Sequence, residues 1–303
     1  MGFTAADFAA LCARGPVAEQ IRTIEDRRRK ALSRFPLHLF VGLTGAAILA
    51  WLVGSNFNPA GGVAAFLVIG TCILIAAFPS FSTASAGIKH PTLHALAGQG
   101  GMSFTPTNFE PPAFEEARRA LFGVWLNGAT FTDLFCGTDR DGKRFAFYEA
   151  KLTQSDGTYE VTVFAGQVYA FERSRTQTGD IVAVPNNSLF NLFKPTGGFG
   201  RGRIEADEAF DKAFEVHGTD EIAARMTFAG NVQARRLLME LRQRGKVFLF
   251  VGPRDVFAAV TGGNRYEPGS MFARRSGEER VRLMFDDVCQ AMETVKRLKA
   301  VFG

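Results

Sequence analysis

The densest group of reactive side chains lies in Glu215-Val216-His217-Gly218-Thr219-Asp220-Glu221-Ile222-Ala223-Ala224-Arg225. His217 could act there as a general acid or base, since a free imidazole changes charge near neutral pH, with Asp220 and Arg225 as binding groups. The same spacing also serves structure, because an Asp ahead of an amphipathic segment caps a helix and an Arg one turn on pairs with a carboxylate. A second group, Gly197-Gly198-Phe199-Gly200-Arg201-Gly202-Arg203, offers flexible backbone to wrap an anion and two guanidinium groups, Arg201 and Arg203, to neutralise it. No Lys-Ser or Lys-Thr pair follows these glycines, so a nucleotide phosphate loop is not indicated.

Metal and nucleophile chemistry find little footing. His90 and His94 are four apart and would share a helix face, but no third ligand stands near them. Cys12, Cys72, Cys136 and Cys289 are scattered with no Cys-x-x-Cys pair, so neither zinc nor a disulfide framework is expected. No Gly-x-Ser-x-Gly elbow, Walker sequence or kinase signature occurs, and no cofactor or catalytic residue is assigned.

The elements that position these groups read as an α+β domain. Pro111-Pro112 opens a helical pattern with Phe114, Ala117, Leu121 and Trp125 on one side. From Thr130 the period shifts to strands: Phe131 to Thr138, Lys143 to Leu152 across an Asp141-Gly142 turn, Thr158 to Phe171, and Ile181 to Val184. Tight turns predict an antiparallel meander of these four, with a bulge at Gly166. Asn186 to Arg203 reads as a loop, Ile204 to Val216 as a helix through Phe210 and Phe214, and Gly230 to Arg244 as another. Strands Val247 to Val251 and Val256 to Thr261 follow. Val281, Met284, Phe285, Val288, Met292, Val295 and Leu298 then form the apolar stripe of a long last helix that should cover one sheet face.

Ahead of this domain, Pro36 to Gly54 and Gly62 to Phe81 contain no Asp, Glu, Lys or Arg. Each is roughly 20 residues, enough at about 1.5 Å per residue to cross a hydrocarbon core of about 30 Å. A transmembrane helical hairpin is expected. Arg27, Arg28, Arg29, Lys30 and Arg34 precede the first run, account for much of the net charge of +5, and are placed to meet lipid headgroups. The connector Ser55 to Gly61 is uncharged, so the positive-inside bias puts both termini in the cytoplasm. Gly42, Ala46, Ala50 and Gly54 recur every four residues, a small-residue stripe suited to the seam between the two helices. The expected organisation is a basic amphipathic helix over 1–35, the hairpin over 36–81, a short helix and linker over 82–105, and the α+β domain over 106–303.

Four stretches of the domain resemble an uncharacterised bacterial family, a domain of unknown function found behind a two-helix membrane hairpin. They are Val163-Phe164-Ala165-Gly166, Phe210-Asp211-Lys212-Ala213-Phe214-Glu215-Val216, then Asp220 with Ala224-Arg225, and Tyr266-Glu267-Pro268. The resemblance covers roughly Thr158 to Phe272, with Tyr266 where the family often has Phe. It implies an integral inner-membrane protein with a cytoplasmic domain and lends no established activity.

The reading is an inner-membrane protein, non-enzymatic, whose cytoplasmic domain binds a protein partner as a scaffold or regulator. A domain that binds anionic lipid or a phosphorylated ligand through Arg201 and Arg203 is the alternative. An undetected hydrolase using His217 and Asp220 is the third. Nucleic acid is not expected as a partner, because the aromatic residues sit at core-compatible positions rather than among exposed basic ones.

Overall fold

The computed structural model describes residues 5–13, 16–56, 59–122, 126–155, 157–186, 202–269, 273 and 275–303; within the first helices, side chains including those at 34–39 and 73–85 lie outside that description. A short helix α1 (Ala5–Ala13) precedes two helices of 41 residues each, α2 (Pro16–Asn56) and α3 (Pro59–Gln99). Pro16 and Pro59 stand at first helical positions, where the missing N–H leaves no bond unmade. The basic segment and the first uncharged run are thus one continuous helix. Residues 82–105, expected as a short helix and linker, instead continue α3 as far as Gln99, with Ile88, Leu93, Leu96 and Ala97 buried, and then form a strand over Met102–Thr105. Among the described residues no helix is long and apolar enough to cross a membrane. Side chains at 36–39, 65 and 73–81, which belong to the two uncharged runs, are outside the described set.

The rest is α+β. Its elements are β1 (Met102–Thr105), α4 (Phe114–Leu121), β2 (Gly128–Thr138), β3 (Arg144–Ser155), β4 (Glu160–Glu172), β5 (Ile181–Pro185) and β6 (Gly202–Ile204). There follow α5 (Glu208–Ala213), β7 (Phe214–Gly218), α6 (Glu221–Phe228), α7 (Val232–Arg242), β8 (Val247–Val251), β9 (Asp255–Thr261) and α8 (Gly277–Phe302). The nine strands form one sheet in the order β1-β2-β3-β4-β9-β8-β5-β7-β6, with every pair antiparallel.

Three features correct the expected meander. First, β2, β3 and β4 are sequential neighbours, but β9 and β8 lie between β4 and β5. The turn signals fixed the hairpins, whereas the insertion depends on pairings about 65 to 95 residues apart in sequence. Second, Ile204 to Val216 is not one helix: only Glu208–Ala213 is helical, and Phe214 turns extended (φ −133°, ψ 146°) to start β7. Phe210 and Phe214 still stack at 5.0 Å, so the four-residue spacing marked a real contact and the wrong backbone. Third, the irregularity in β4 sits where Leu152 pairs Phe164 and Thr153 pairs Thr162, which makes Val163 the extra residue. Gly166 (φ +157°) serves another need, since a Cβ there would come within 2.1 Å of the Val260 carbonyl.

Alternation along the strands divides the sheet into two apolar faces. On one, α4 places Phe114, Ala117, Leu121 and Phe122 in a cluster with Tyr148, Val168, Val182, Phe248, Phe250 and Phe257. On the other, Phe104, Phe135 and Phe147 form an aromatic run, Phe135 stacking on Phe147 at 4.7 Å. Toward the far edge of that second face, Phe210, Phe228 and Phe302 connect α5, α6 and the end of α8.

The chain divides into two compact units. The sheet unit comprises Ala97–Arg265 with Asp286–Gly303, and the helical unit Phe3–Leu96 with Tyr266–Phe285. In the sheet unit the second half of α8 is fastened by ion pairs of Lys299 with Asp139 and Arg297 with Glu240. In the helical unit Phe8 packs on Phe285 at 5.0 Å, and Gly277 abuts the Ile21 carbonyl.

Candidate functional site

His217 and Glu215 lie on the α4 face of β7, both buried, with His217 Nε2 3.7 Å from Glu215 Oε2. Arg203 on β6 is exposed and registers opposite His217. Arg201 lies outside the described residues. Asp220 is committed elsewhere. Its carboxylate accepts from Ala223 N at 3.0 Å and from Thr178 Oγ1 at 2.7 Å, which makes it the N-cap of α6. These bonds hold the Asp220 carboxyl below the usual carboxylate value. Arg225 pairs with Glu221 one turn away at 2.8 Å. The sequence cluster is therefore not one site: His217 belongs to the sheet interior, while Asp220 and Arg225 fix a helix.

Of the basic residues before the first uncharged run, Arg29 and Lys30 are exposed on α2, and the side chains of Arg27, Arg28 and Arg34 are outside the described set. In the small-residue stripe Ala46 is buried, and a Cβ on Gly62 of α3 would meet the Ala50 carbonyl at 2.6 Å and Gly54 Cα at 3.1 Å. Gly42 is half-buried on the same helix. Backbone approach at Gly54 and Gly62 is thus closer than any side chain would permit. His90 and His94 sit on α3, and among the described residues no group of three or more His, Cys, Asp or Glu is arranged to hold a metal ion.

A different part of the sheet unit is hollow. A cleft of about 640 Å³ lies between the turn Glu110–Ala113 and the ends of β1, β2, β3, β4 and β9. Its floor follows from register. Cys136 pairs Ala146, Ala146 pairs Ala170, and Ala170 pairs Phe257, so three small side chains lie side by side before a large one closes the row. One step toward the strand ends, Thr138, Arg144, Glu172 and Asp255 form a polar row. The roof is held by the Tyr148 hydroxyl, which donates to the Pro112 carbonyl at 3.2 Å, and by Phe109 packed edge-on to the Tyr148 ring at 5.9 Å. Ala113 takes a left-handed conformation (φ +56°) at the start of α4 and gives no side-chain cap.

The electrostatics of this cleft are lopsided. Arg144 Nε and Glu172 Oε1 pair at 2.6 Å, and Glu172 is lowered first by the Arg144 backbone N–H and then by its side chain. Asp255 moves the other way: burial, then the nearby carboxylates of Glu116 and Glu172, raise it, with Arg144 and Arg254 opposing. Burial also raises the Cys136 thiol. A cleft with convergent polar groups and a perturbed carboxyl is where binding is first sought. None of these residues stands out in the sequence. The Asp141-Gly142 turn does align Thr138 with Arg144, but no local signal brings Asp255 to their row.

One comparison bears out part of the resemblance read from the sequence, a domain of unknown function. Residues 162–300 match the family described as "Protein of unknown function (DUF3137)". That span contains every stretch that carried the resemblance. No curated protein matches the chain. Among solved structures, the chain is similar to the crystal structure of the mycobacterial trehalose monomycolate transport factor A, TtfA, at 10% identity and a TM-score of 0.36, over 67% of this chain and 94% of that one.

Proposed function

We propose that this chain is a membrane-anchored, non-catalytic binding protein of the inner membrane, with both termini in the cytoplasm and the sheet unit presented there to a protein partner. One observation carries the anchor: large apolar side chains stand exposed within the two charge-free runs, Phe40 and Trp51 each at 70%, Leu67 at 62% and Val68 at 63%. Such a concentration on two neighbouring segments of α2 and α3 needs an apolar surround. Transfer of each side chain from water to lipid contributes about 1.5–3 kcal/mol. Arg29 and Lys30, exposed beyond one end of the first run, suit anionic headgroups.

The binding role is supported by how the reactive groups are used. Asp220 and Arg225 secure α6, while the sheet unit keeps an open cleft. The test is fractionation of the full chain from cells followed by alkaline carbonate washing, with reporter fusions at each terminus. Retention in the membrane pellet and reporter activity on the cytoplasmic side at both ends are the expected results. Release by carbonate overturns the anchor, and a reporter active outside overturns the cytoplasmic placement of the termini.

A further inference from the structure

We propose that a row of cations at the strand ends beside the last turns of α8, Lys143, Arg173 and Arg254, binds an acidic segment of a protein partner. This rests on the partner-binding reading and names the chemistry by which the partner is recognised. The row follows from register. Phe145 pairs Phe171 and Phe171 pairs Val256 on the face that α8 covers, where Lys299 stands 6.0 Å from the Phe171 ring centroid. Two residues further along each strand, alternation returns Lys143 and Arg173 to that face. The Asp139 N–H donates to the Lys143 carbonyl at 2.9 Å, and the Arg173 N–H donates to the Arg254 carbonyl at 2.7 Å. Asp139, Lys143, Arg173 and Arg254 thus follow one another from β2 across β3 and β4 to the β8–β9 turn.

The charges of this row do not balance. Lys143, Arg173, Arg254 and Lys299 share one carboxylate, Asp139, and Lys299 pairs with it. Among the described residues Lys143, Arg173 and Arg254 form no ion pair. Glu172 and Asp255 alternate to the opposite face, where Arg144 pairs with Glu172, and Arg254 acts on Asp255 without pairing. Like charges on neighbouring strands oppose one another. Arg173 is also half-buried, its Nη1 donating to the Gly252 carbonyl at 3.2 Å, and burial lowers its guanidinium. Partial burial of a charge without a counter-charge costs free energy that a bound anion recovers. Arg140 and Arg175, both exposed, flank the row, and exposed Asp141 offsets one of them.

The layout selects a protein segment. Adjacent strands lie about 4.8 Å apart, so the three cations make a stripe about 10 Å long, longer than one phosphate and suited to successive acidic side chains. Two of the three are arginines, whose forks match carboxylates. Among the described residues of the sheet unit the large exposed apolar side chains are Tyr159, Val161, Ile222, Met226 and Val232, none of them in this row or its turns. A surface that settles into a bilayer would carry such side chains among its cations. Charge complementarity thus commits the row to an acidic stretch of a protein.

The test uses the full chain in a non-ionic detergent and the fluorescence anisotropy of blocked, labelled peptides carrying a run of glutamates or, as the neutral counterpart, of glutamines between Gly-Ser ends. The glutamate peptide should bind and the glutamine peptide should not. The double variant K143Q/R254Q, checked by melting for an intact fold, should weaken binding about tenfold or more. R236Q, which removes an exposed arginine of α7, should leave it unchanged. A second measurement needs no variant: on the wild-type chain the glutamate peptide should slow modification of Arg254 by phenylglyoxal, followed by mass spectrometry, and leave Arg236 unaffected. Tripolyphosphate and micelles doped with phosphatidylglycerol serve as competitors.

Equal binding of the two peptides, unchanged affinity in K143Q/R254Q, or no protection of Arg254 overturns the proposal. So does displacement of the glutamate peptide at equal anionic charge by tripolyphosphate, which assigns the row to a phosphorylated ligand, or by phosphatidylglycerol, which assigns it to headgroups. Failure of the parent reading looks different. If crosslinking captures one partner equally with wild type and K143Q/R254Q, the assignment of the row falls and partner binding stands.

Discussion

Lys89 and Glu267, 178 residues apart in the chain, form an ion pair at 2.6 Å in which the lysine is buried. The pair ties α3 to the Tyr266-Glu267-Pro268 segment, one of the stretches that carried the family resemblance. A half-buried pair lies between the surface case, worth about 0–1 kcal/mol, and the buried case, where losing one partner costs about 3–5 kcal/mol. Lys89→Met and Glu267→Gln should each lower the midpoint of thermal unfolding. The double variant should lose less than the sum, with a coupling of about 1–3 kcal/mol. Strict additivity would show that the contact contributes nothing.

Arg280 completes the same node. It is fully buried, its Nη1 donates to the Pro268 carbonyl at 2.9 Å, and its Nη2 donates to the Ala273 carbonyl at 2.8 Å. A planar guanidinium reaches both carbonyls at once, and an ammonium does not. Arg280→Lys should therefore destabilise almost as much as Arg280→Met, by about 1–3 kcal/mol for each carbonyl left unpaired. Chemical denaturation of the three proteins decides this, and rescue by lysine would mean that charge alone matters.

Legibility followed the range of the interaction. The Asp141-Gly142 hairpin, the stripe of α8 and the Asp220 cap are local, set by residues within a turn of one another, and each is readable. The insertion of β9 and β8 between β4 and β5 is not, because alternating apolar residues state that a strand is buried and not beside which neighbour. The cleft is hidden for the same reason. Ala146 and Ala170 are ordinary alanines in separate strands until register sets them side by side. Nothing local in the sequence marks Lys89 or Arg280 as inward-facing, and only folding shows that both are buried.

Asp220 separates a structural role from a chemical one. Its two hydrogen bonds, to Ala223 N and Thr178 Oγ1, describe a cap. Asp220→Ala should lower the urea midpoint, whereas Asp220→Ser or Asp220→Asn should retain most of the stability. Urea titration of the set reads this directly. A Ser variant as unstable as the Ala variant would remove the capping account.

The hairpin seam has a positional test. A side chain at Gly62 meets backbone atoms of Ala50 and Gly54, whereas a methyl group added at Gly45 or Gly70 has nothing within 4 Å. Gly62→Ala, and Ala46→Leu at the buried centre of the stripe, should weaken crosslinking between cysteines placed on α2 and α3. Gly45→Ala and Gly70→Ala should not. Equal yields in all four variants would place the seam elsewhere.

Two aspartates predict opposite responses to pH. Burial first, then Glu116 and Glu172, raise the Asp255 carboxyl above 3.8, so the folded chain binds that proton more tightly than the unfolded chain does. Stability contributed at Asp255 is present below 3.8 and is lost as pH rises through the raised value. For Asp139 burial alone would raise the carboxyl, but the Lys299 ammonium and the Lys143 and Asp141 backbone N–H groups together bring it below 3.8. Its contribution is present above 3.8 and is lost as pH falls through the lowered value. At neutral pH, Asp255→Asn should therefore raise the unfolding midpoint and Asp139→Asn should lower it. Both differences should shrink once the solution is acidic enough to protonate an ordinary aspartate, whose value is about 3.9. Melting curves of the two variants and wild type across acid to neutral pH give the signs, and a lower midpoint for Asp255→Asn at neutral pH would mean that Arg144 and Arg254 outweigh burial at the mouth of the cleft.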